Sequence, residues 1–187
     1  METFTYRRST FKIEIVHDSD HGTPWENEDG HGPVSDWTSR AKCPGEMILT
    51  EDRGRKRFYD FAEACRIARR DGWNAAPYDV PGESKRQRAA RAAMADFERL
   101  RAWCNDQWHY VGVVVTRLDR HGNEMRHERA SLWGIESDCE DYQEEVAREL
   151  AAEINAERAA RRKAALREGS QGFASAWLET VQKGVPA

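Results

Sequence analysis

His109-Tyr110-Val111-Gly112-Val113-Val114-Val115-Thr116-Arg117-Leu118 is the stretch whose reading decides the fold. Valine falls on both parities of the run, Val111, Val113 and Val115 on one and Val114 on the other. A strand with this pattern is buried on both faces and lies inside its sheet. Downstream, Arg120, His121, Gly122 and Asn123 make a turn, and the chain returns as a strand ending in Leu132, Trp133 and Ile135. A strand answered by a returning strand predicts an antiparallel sheet.

Upstream, Ser84 to Asp106 reads as a helix, with Ala90, Met94, Phe97, Leu100, Trp103 and Cys104 in an apolar stripe at spacings of three and four. A shorter helix precedes it. Asp60 caps that helix, Glu63 completes a capping box, and Gly72 stands where a left-handed terminator is wanted. Its buried stripe is Phe61, Ala64, Cys65 and Ala68. Glu46 to Thr50 and Arg57 to Tyr59 form a hairpin around Asp52, Arg53 and Gly54. The first strand runs from Thr10 to Asp18, with Phe11, Ile13 and Ile15 on its apolar face. Between it and the hairpin, Asp18 to Pro44 is rich in Gly, Pro and acidic residues. This reads as a long loop that Trp25 and Trp37 hold ordered and packed.

After the returning strand, Ser137 and Glu140 form a capping box for a further helix, whose core stripe is Tyr142, Val146, Leu150 and Ile154. Beyond Asn155 the residues are Ala, Arg, Lys and Glu, with Leu166 the one large apolar side chain up to Glu168. An unbroken helix from Asp138 to Glu168 would be roughly 45 Å long, so its second half projects or bends back. Gly169, Ser170 and Gly172 then separate a short amphipathic helix over Phe173 to Lys183, carrying Phe173, Trp177 and Val181. The expectation is an α+β fold, an antiparallel sheet of about five strands packed with two to three helices. Residues 1–155 form the core domain and residues 156–187 a C-terminal helical arm.

Composition limits the function classes. In 187 residues, 39% are hydrophobic and 33% charged, with seven Trp, so the chain folds by itself. The longest apolar run, Val111 to Val115, is far shorter than the roughly 18 residues of a membrane span. Met1, Glu2, Thr3 and Phe4 lack the basic-then-apolar pattern of a signal peptide, so the chain is expected to stay where it is made. Cys43, Cys65, Cys104 and Cys139 have no CxxC or CxxH spacing, and Cys65 and Cys104 fall on apolar helix stripes as small hydrophobes. A net charge of −4 has the wrong sign for a generic nucleic-acid binder. No phosphate-binding glycine loop or nucleophile elbow is present, and no cofactor is expected.

Two constellations could carry function. His17, Asp18, Asp20, His21, Glu26, Glu28, Asp29 and His31 supply the imidazoles and carboxylates that a metal site or an acid/base pair needs. Their spacing matches no metal motif, and acidic loop residues also serve as caps for nearby amides. The second is basic: Arg53, Arg55, Lys56, Arg57, Arg66, Arg69, Arg70, Lys85, Arg86, Arg88 and Arg91. If they converge, they offer a positive face to phosphates or to an acidic protein surface. If they do not, they are a solvated face diluted by Glu63, Asp71 and Glu83.

Several runs together carry a resemblance: Asp29-Gly30-His31-Gly32-Pro33-Val34-Ser35-Asp36-Trp37, the segment from Arg57 to Trp73, the segment from Asp96 to Trp108, and Ser131-Leu132-Trp133-Gly134-Ile135-Glu136-Ser137. They resemble small uncharacterised proteins encoded by tailed phages and prophages of proteobacteria, over most of the chain as far as Ile154. The resemblance brings no activity, cofactor or catalytic residue. It implies an accessory product in the bacterial cytoplasm that binds a host protein or ribonucleoprotein complex and inhibits a defence system such as CRISPR.

The reading therefore favours a binder over an enzyme. Its contact residues would be Trp25, His31 and Trp37 in the loop, Arg53, Arg55, Lys56, Arg66, Arg69 and Arg70 on the basic face, and Phe173 and Trp177 on the arm. The arm could also pair two copies into a homodimer. A metal-dependent hydrolase or nuclease using His17, Asp18, Asp20, His21, Asp29 and His31 is the alternative. A third reading is a small nucleic-acid binder that uses the basic cluster directly.

Overall fold

Arg7 and Arg8 both adopt positive φ, 45° and 69°, which makes the tight two-residue turn that joins two antiparallel strands. The computed structural model describes residues 2–27, 29–78 and 80–182, with side chains described as far as Gly169 and not at Asn27. Strands β1 (Glu2–Tyr6) and β2 (Ser9–His17) flank that turn. β2 pairs antiparallel with β5 (Tyr110–Leu118), Ile13 opposite Val115, and β6 (Glu124–Glu136) completes a four-stranded sheet in the order β1-β2-β5-β6. A second sheet has two strands, β3 (Glu46–Asp52) and β4 (Arg55–Asp60). The α+β class holds, and the described residues hold six strands divided between two sheets. The strand that the sequence reading lacked is β1, because Arg-Arg is not the Asn-Gly or Asp-Gly pair that marks such a turn.

The chain packs as two compact units. One contains Met1–His17, Val111–Ile135 and Cys139–Ala187, and the other contains Asp18–Tyr110 with Glu136–Asp138. In the first, the period of two on the sheet meets the period of 3.6 on helix α4 (Glu140–Gln182). Phe11, Val111, Val113, Val115 and Ile135 pack against Val146, Ala147, Leu150, Ala151 and Ile154. Val114 and Thr116, on the opposite parity of β5, are 1% and 2% exposed, so this strand is buried on both faces.

α4 begins at Glu140, which places Cys139 at the capping position and Ser137 ahead of it. The Ser137 hydroxyl accepts the His109 N–H at 3.0 Å. From Ala156 to Gly169 every side chain of α4 is exposed. The helix runs on through Gly169 and Gly172 to Gln182, where the sequence predicted a break and a separate short helix. An interior glycine costs about 1 kcal/mol relative to Ala. The surrounding Ala, Arg, Leu and Glu outweigh that.

In the second unit, Asp60 caps α2 (Phe61–Asp71) by accepting from Glu63 N–H, and Gly72 ends it at φ 75°. Ser84 and Gln87 close a reciprocal box at the start of α3 (Lys85–Cys104). The two helices and the hairpin share a core of Leu49, Tyr59, Ala64, Ala93, Phe97 and Leu100. The described part of the long loop contains a single helical turn α1 (Pro24–Asn27) and a stretch beside β4 bridged at Val34 to Tyr59 and at Thr38 to Lys56. Among the described residues no helix is long and apolar enough to cross a membrane.

Candidate functional site

His31 is fixed by a residue that sequence reasoning did not single out. Its Nδ1 lies 2.6 Å from Asp96 Oδ1, and with a carboxylate as acceptor that nitrogen carries a proton. The other carboxylate oxygen accepts the Gly32 N–H at 2.8 Å and the Tyr59 hydroxyl at 2.7 Å. The Ala93 carbonyl is also within reach of that hydroxyl, at 3.1 Å. Burial, reinforced by the Asp96 carboxylate, pushes the Tyr59 phenol well above its ordinary pKa. A Cβ at Gly32 would sit 2.5 Å from the Tyr59 hydroxyl, so only glycine lets the loop approach this closely. An imidazole steered by a carboxylate is half of a general-base device. Here the same carboxylate also anchors the loop backbone and a fully buried phenol, so its first effect is to fasten loop to helix. The signal in the sequence was an acid on a buried stripe, Asp96 between Ala93 and Leu100, which requires an internal partner.

Trp25 and Trp37 turn inward, to Arg57. Its guanidinium lies 5.0 Å from the Trp25 ring centre and 5.1 Å from that of Trp37. Trp25 also meets Trp103 edge-on at 5.4 Å. Arg55 donates to the Trp37 carbonyl at 2.9 Å, Lys56 pairs with Glu51 at 3.2 Å, and Arg53 occupies the hairpin turn at φ 48°.

The other candidate metal ligands do not gather. His17 ends β2 in the first unit, whereas Asp18, Asp20, His21, Asp29 and His31 belong to the second. His21 stacks on Tyr110 at 3.9 Å, with Asp18 4.0 Å from its Nδ1. Among the described residues, no three of those six have ligand atoms within 4.8 Å of one another. Glu28 and the side chains of Phe173, Trp177 and Val181 lie outside the described residues.

Part of the basic cluster does converge. α2 and α3 border a cleft of about 490 Å³ with a floor of Phe61, Cys65 and Ala89. Arg66, Arg69 and Arg86 rim it. Arg66 is tied to Glu63 at 2.5 Å, while Arg69 and Arg86 have no carboxylate partner among the described residues. Much of the remaining cluster is neutralised locally: Arg70 by Asp71 at 2.6 Å, and Arg91 and Arg88 by Glu83 at 2.8 and 3.6 Å. Burial raises the Cys65 thiol pKa and pushes that of Cys104 up to about 11, so both are protonated at neutral pH and behave as apolar packing. The first unit has a smaller cleft of opposite sign, about 330 Å³, where Glu2, Glu140 and Glu144 surround Ile13 and Ile15. Comparisons with protein-family models, curated proteins and solved structures find no match to the chain.

Proposed function

We propose that the chain works by binding, and that its partner is an acidic segment of another protein received in the α2/α3 cleft. One observation carries this: two helices bring Arg66, Arg69 and Arg86 around an apolar floor, and two of those arginines have no internal counter-charge among the described residues. An arginine fork grips carboxylates bidentately. The floor of Phe61, Cys65 and Ala89 takes an aliphatic or aromatic anchor beside them. Nucleic acid is less well served. A backbone-tracking groove needs an extended run of unpaired cations with stacking aromatics, and here Glu63, Asp71 and Glu83 pair with Arg66, Arg70, Arg88 and Arg91. The resemblance to phage and prophage proteins makes a bacterial host complex, including a defence complex, the partner class we propose.

The test is fluorescence polarisation with a labelled peptide of about twelve residues, rich in Asp and Glu and carrying one Phe. Arg69→Ala with Arg86→Ala should weaken binding about 5- to 30-fold, and raising salt from about 50 to about 500 mM should weaken it further. A double variant that binds like the parent would overturn the reading. So would a single-stranded oligonucleotide that displaces the peptide at equal concentration.

A further inference from the structure

Among the described residues, the β3–β4 hairpin is bordered by hydrogen-bonded chain on one side only. Along β4, Ser35 N–H donates to the Phe58 carbonyl at 2.8 Å, Asp60 N–H to the Pro33 carbonyl at 2.9 Å, and Thr38 and Lys56 exchange bonds at 2.9 and 2.8 Å. Phe58 N–H donates to the Ser35 hydroxyl at 2.9 Å. Lys56, Phe58 and Asp60 thus turn their main-chain groups toward the loop. By alternation, Arg55, Arg57 and Tyr59 turn theirs toward β3, where Asp52, Thr50 and Met47 are opposite. Ile48, facing Phe58, and Glu51, facing Lys56, must therefore aim their N–H and C=O groups outward. β3 ends its sheet, and among the described residues nothing hydrogen-bonds to the outward main chain of Ile48 or Glu51.

Beside that edge lies a groove of about 640 Å³, with β3 as one wall and Phe97, Glu98 and Arg101 of α3 as the other. Ile48 is 42% exposed. Most edges of this kind are guarded by Lys, Pro or an inward charge. From Met47 to Thr50 the strand has none of these, only a register irregularity between Ile48 and Thr50.

We propose that this edge accepts an extended segment of another protein as an added strand, at a site separate in chemistry and position from the basic cleft. Main-chain bonds to Ile48 and Glu51 would hold it, and a β-branched or aromatic residue would pack on Ile48. Lys42 and Arg101 are offset by Glu51 and Glu98 in the groove lining, so recognition rests on backbone and shape more than on net charge. The outward N–H and C=O groups of Ile48 and Glu51 match the alternating main-chain groups of an extended segment, and pairing with a second copy is an outcome that the test separates.

A displayed library of linear peptides of about twelve residues, panned against the full chain, supplies the probe. The selected peptide is then resynthesised with single N-methyl groups at each position. Binding should fall about tenfold or more at alternate positions and little at those between, because each outward-facing bond is made by every second residue. Ile48→Pro should weaken it similarly while the circular dichroism stays unchanged, since an edge N–H facing outward tolerates proline. Arg69→Ala with Arg86→Ala should leave it intact, so this site and the basic cleft succeed or fail separately. Failure to enrich any peptide would overturn the proposal, as would an N-methyl scan without alternation. A parent dimer that Ile48→Pro converts to monomer would also overturn it, by assigning the edge to a second copy. If Ile48→Pro does not fold, the N-methyl scan decides alone.

Discussion

Asp96 and Glu128 are acids with nearly buried side chains, one in each unit, and they are satisfied in opposite ways. Glu128, with a side chain 7% exposed, faces two guanidinium groups: Arg117 at 2.6 Å and Arg158 of α4 at 3.5 Å. Asp96, 9% exposed, faces one imidazole, one backbone amide and one phenol. The first joins helix to sheet by charge and the second joins loop to helix by hydrogen-bond geometry. A charge pair tolerates movement of one member when that member reaches water, and Arg158 is 48% exposed. A set of short bonds from buried donors does not.

That difference is open to direct test. Asp96→Ala should be the costliest single change, about 3–4 kcal/mol, because it strips the Gly32 N–H of its acceptor, leaves the buried Tyr59 hydroxyl only the longer bond to the Ala93 carbonyl and removes the partner of His31 Nδ1. Limited proteolysis should then cut within Asp18 to Pro44. Glu128→Ala should cost somewhat less, about 3 kcal/mol, the low end for a broken buried pair, since Arg117 loses its counter-charge but Arg158 turns to solvent. Urea unfolding of both variants decides, and a larger loss for Glu128→Ala would reverse the comparison.

Two glycines sharpen it at a smaller scale. A Cβ at Gly32 meets the Tyr59 hydroxyl at 2.5 Å and Ala64 Cβ at 2.7 Å, and Tyr59 is fully buried and held by Asp96. A Cβ at Gly112 meets the Trp133 ring, but Trp133 is 47% exposed and can swing aside. Gly32→Ala should cost about 1–3 kcal/mol and Gly112→Ala under about 1 kcal/mol. Thermal midpoints that fall equally would mean that Tyr59 is as free to move as Trp133.

The parts of the fold that were legible rest on local chemistry. The Asp60 cap, the αL glycine at Gly72 and the two-parity valines of β5 each follow from a few adjacent residues. What stayed hidden depends on partners distant in sequence. Arg57 lies within about 5 Å of both the Trp25 and the Trp37 ring, and Asp96, 65 positions away, meets His31, and neither partner stands near its target in the sequence. The basic face was legible as composition only. That α2 and α3 gather Arg66, Arg69 and Arg86 while neighbouring acids cancel the others is a matter of helix phase and packing.

The smallest effect separates surface charge from the two interior acids. Arg40 grips Glu46 with bonds of 2.7 and 2.5 Å and holds its carboxyl at about 2, against an ordinary value of 4.5. A carboxylate whose pKa is depressed by folding contributes stability that is complete above the unfolded value and lost as pH falls toward the folded one. The window is therefore from about 4.5 down to about 2. Arg40 is 39% exposed, so solvent screens the pair and the contribution is modest. Arg40→Ala also removes the stacking of the guanidinium on Phe58 at 4.6 Å, a loss that is the same at every pH. The diagnostic quantity is thus the change in urea midpoint between about pH 6 and about pH 2.5, which should be smaller in Arg40→Ala than in the parent by a few tenths of a molar at most. Equal changes in the two proteins would mean that the Arg40–Glu46 pair contributes nothing to the acid sensitivity of the fold.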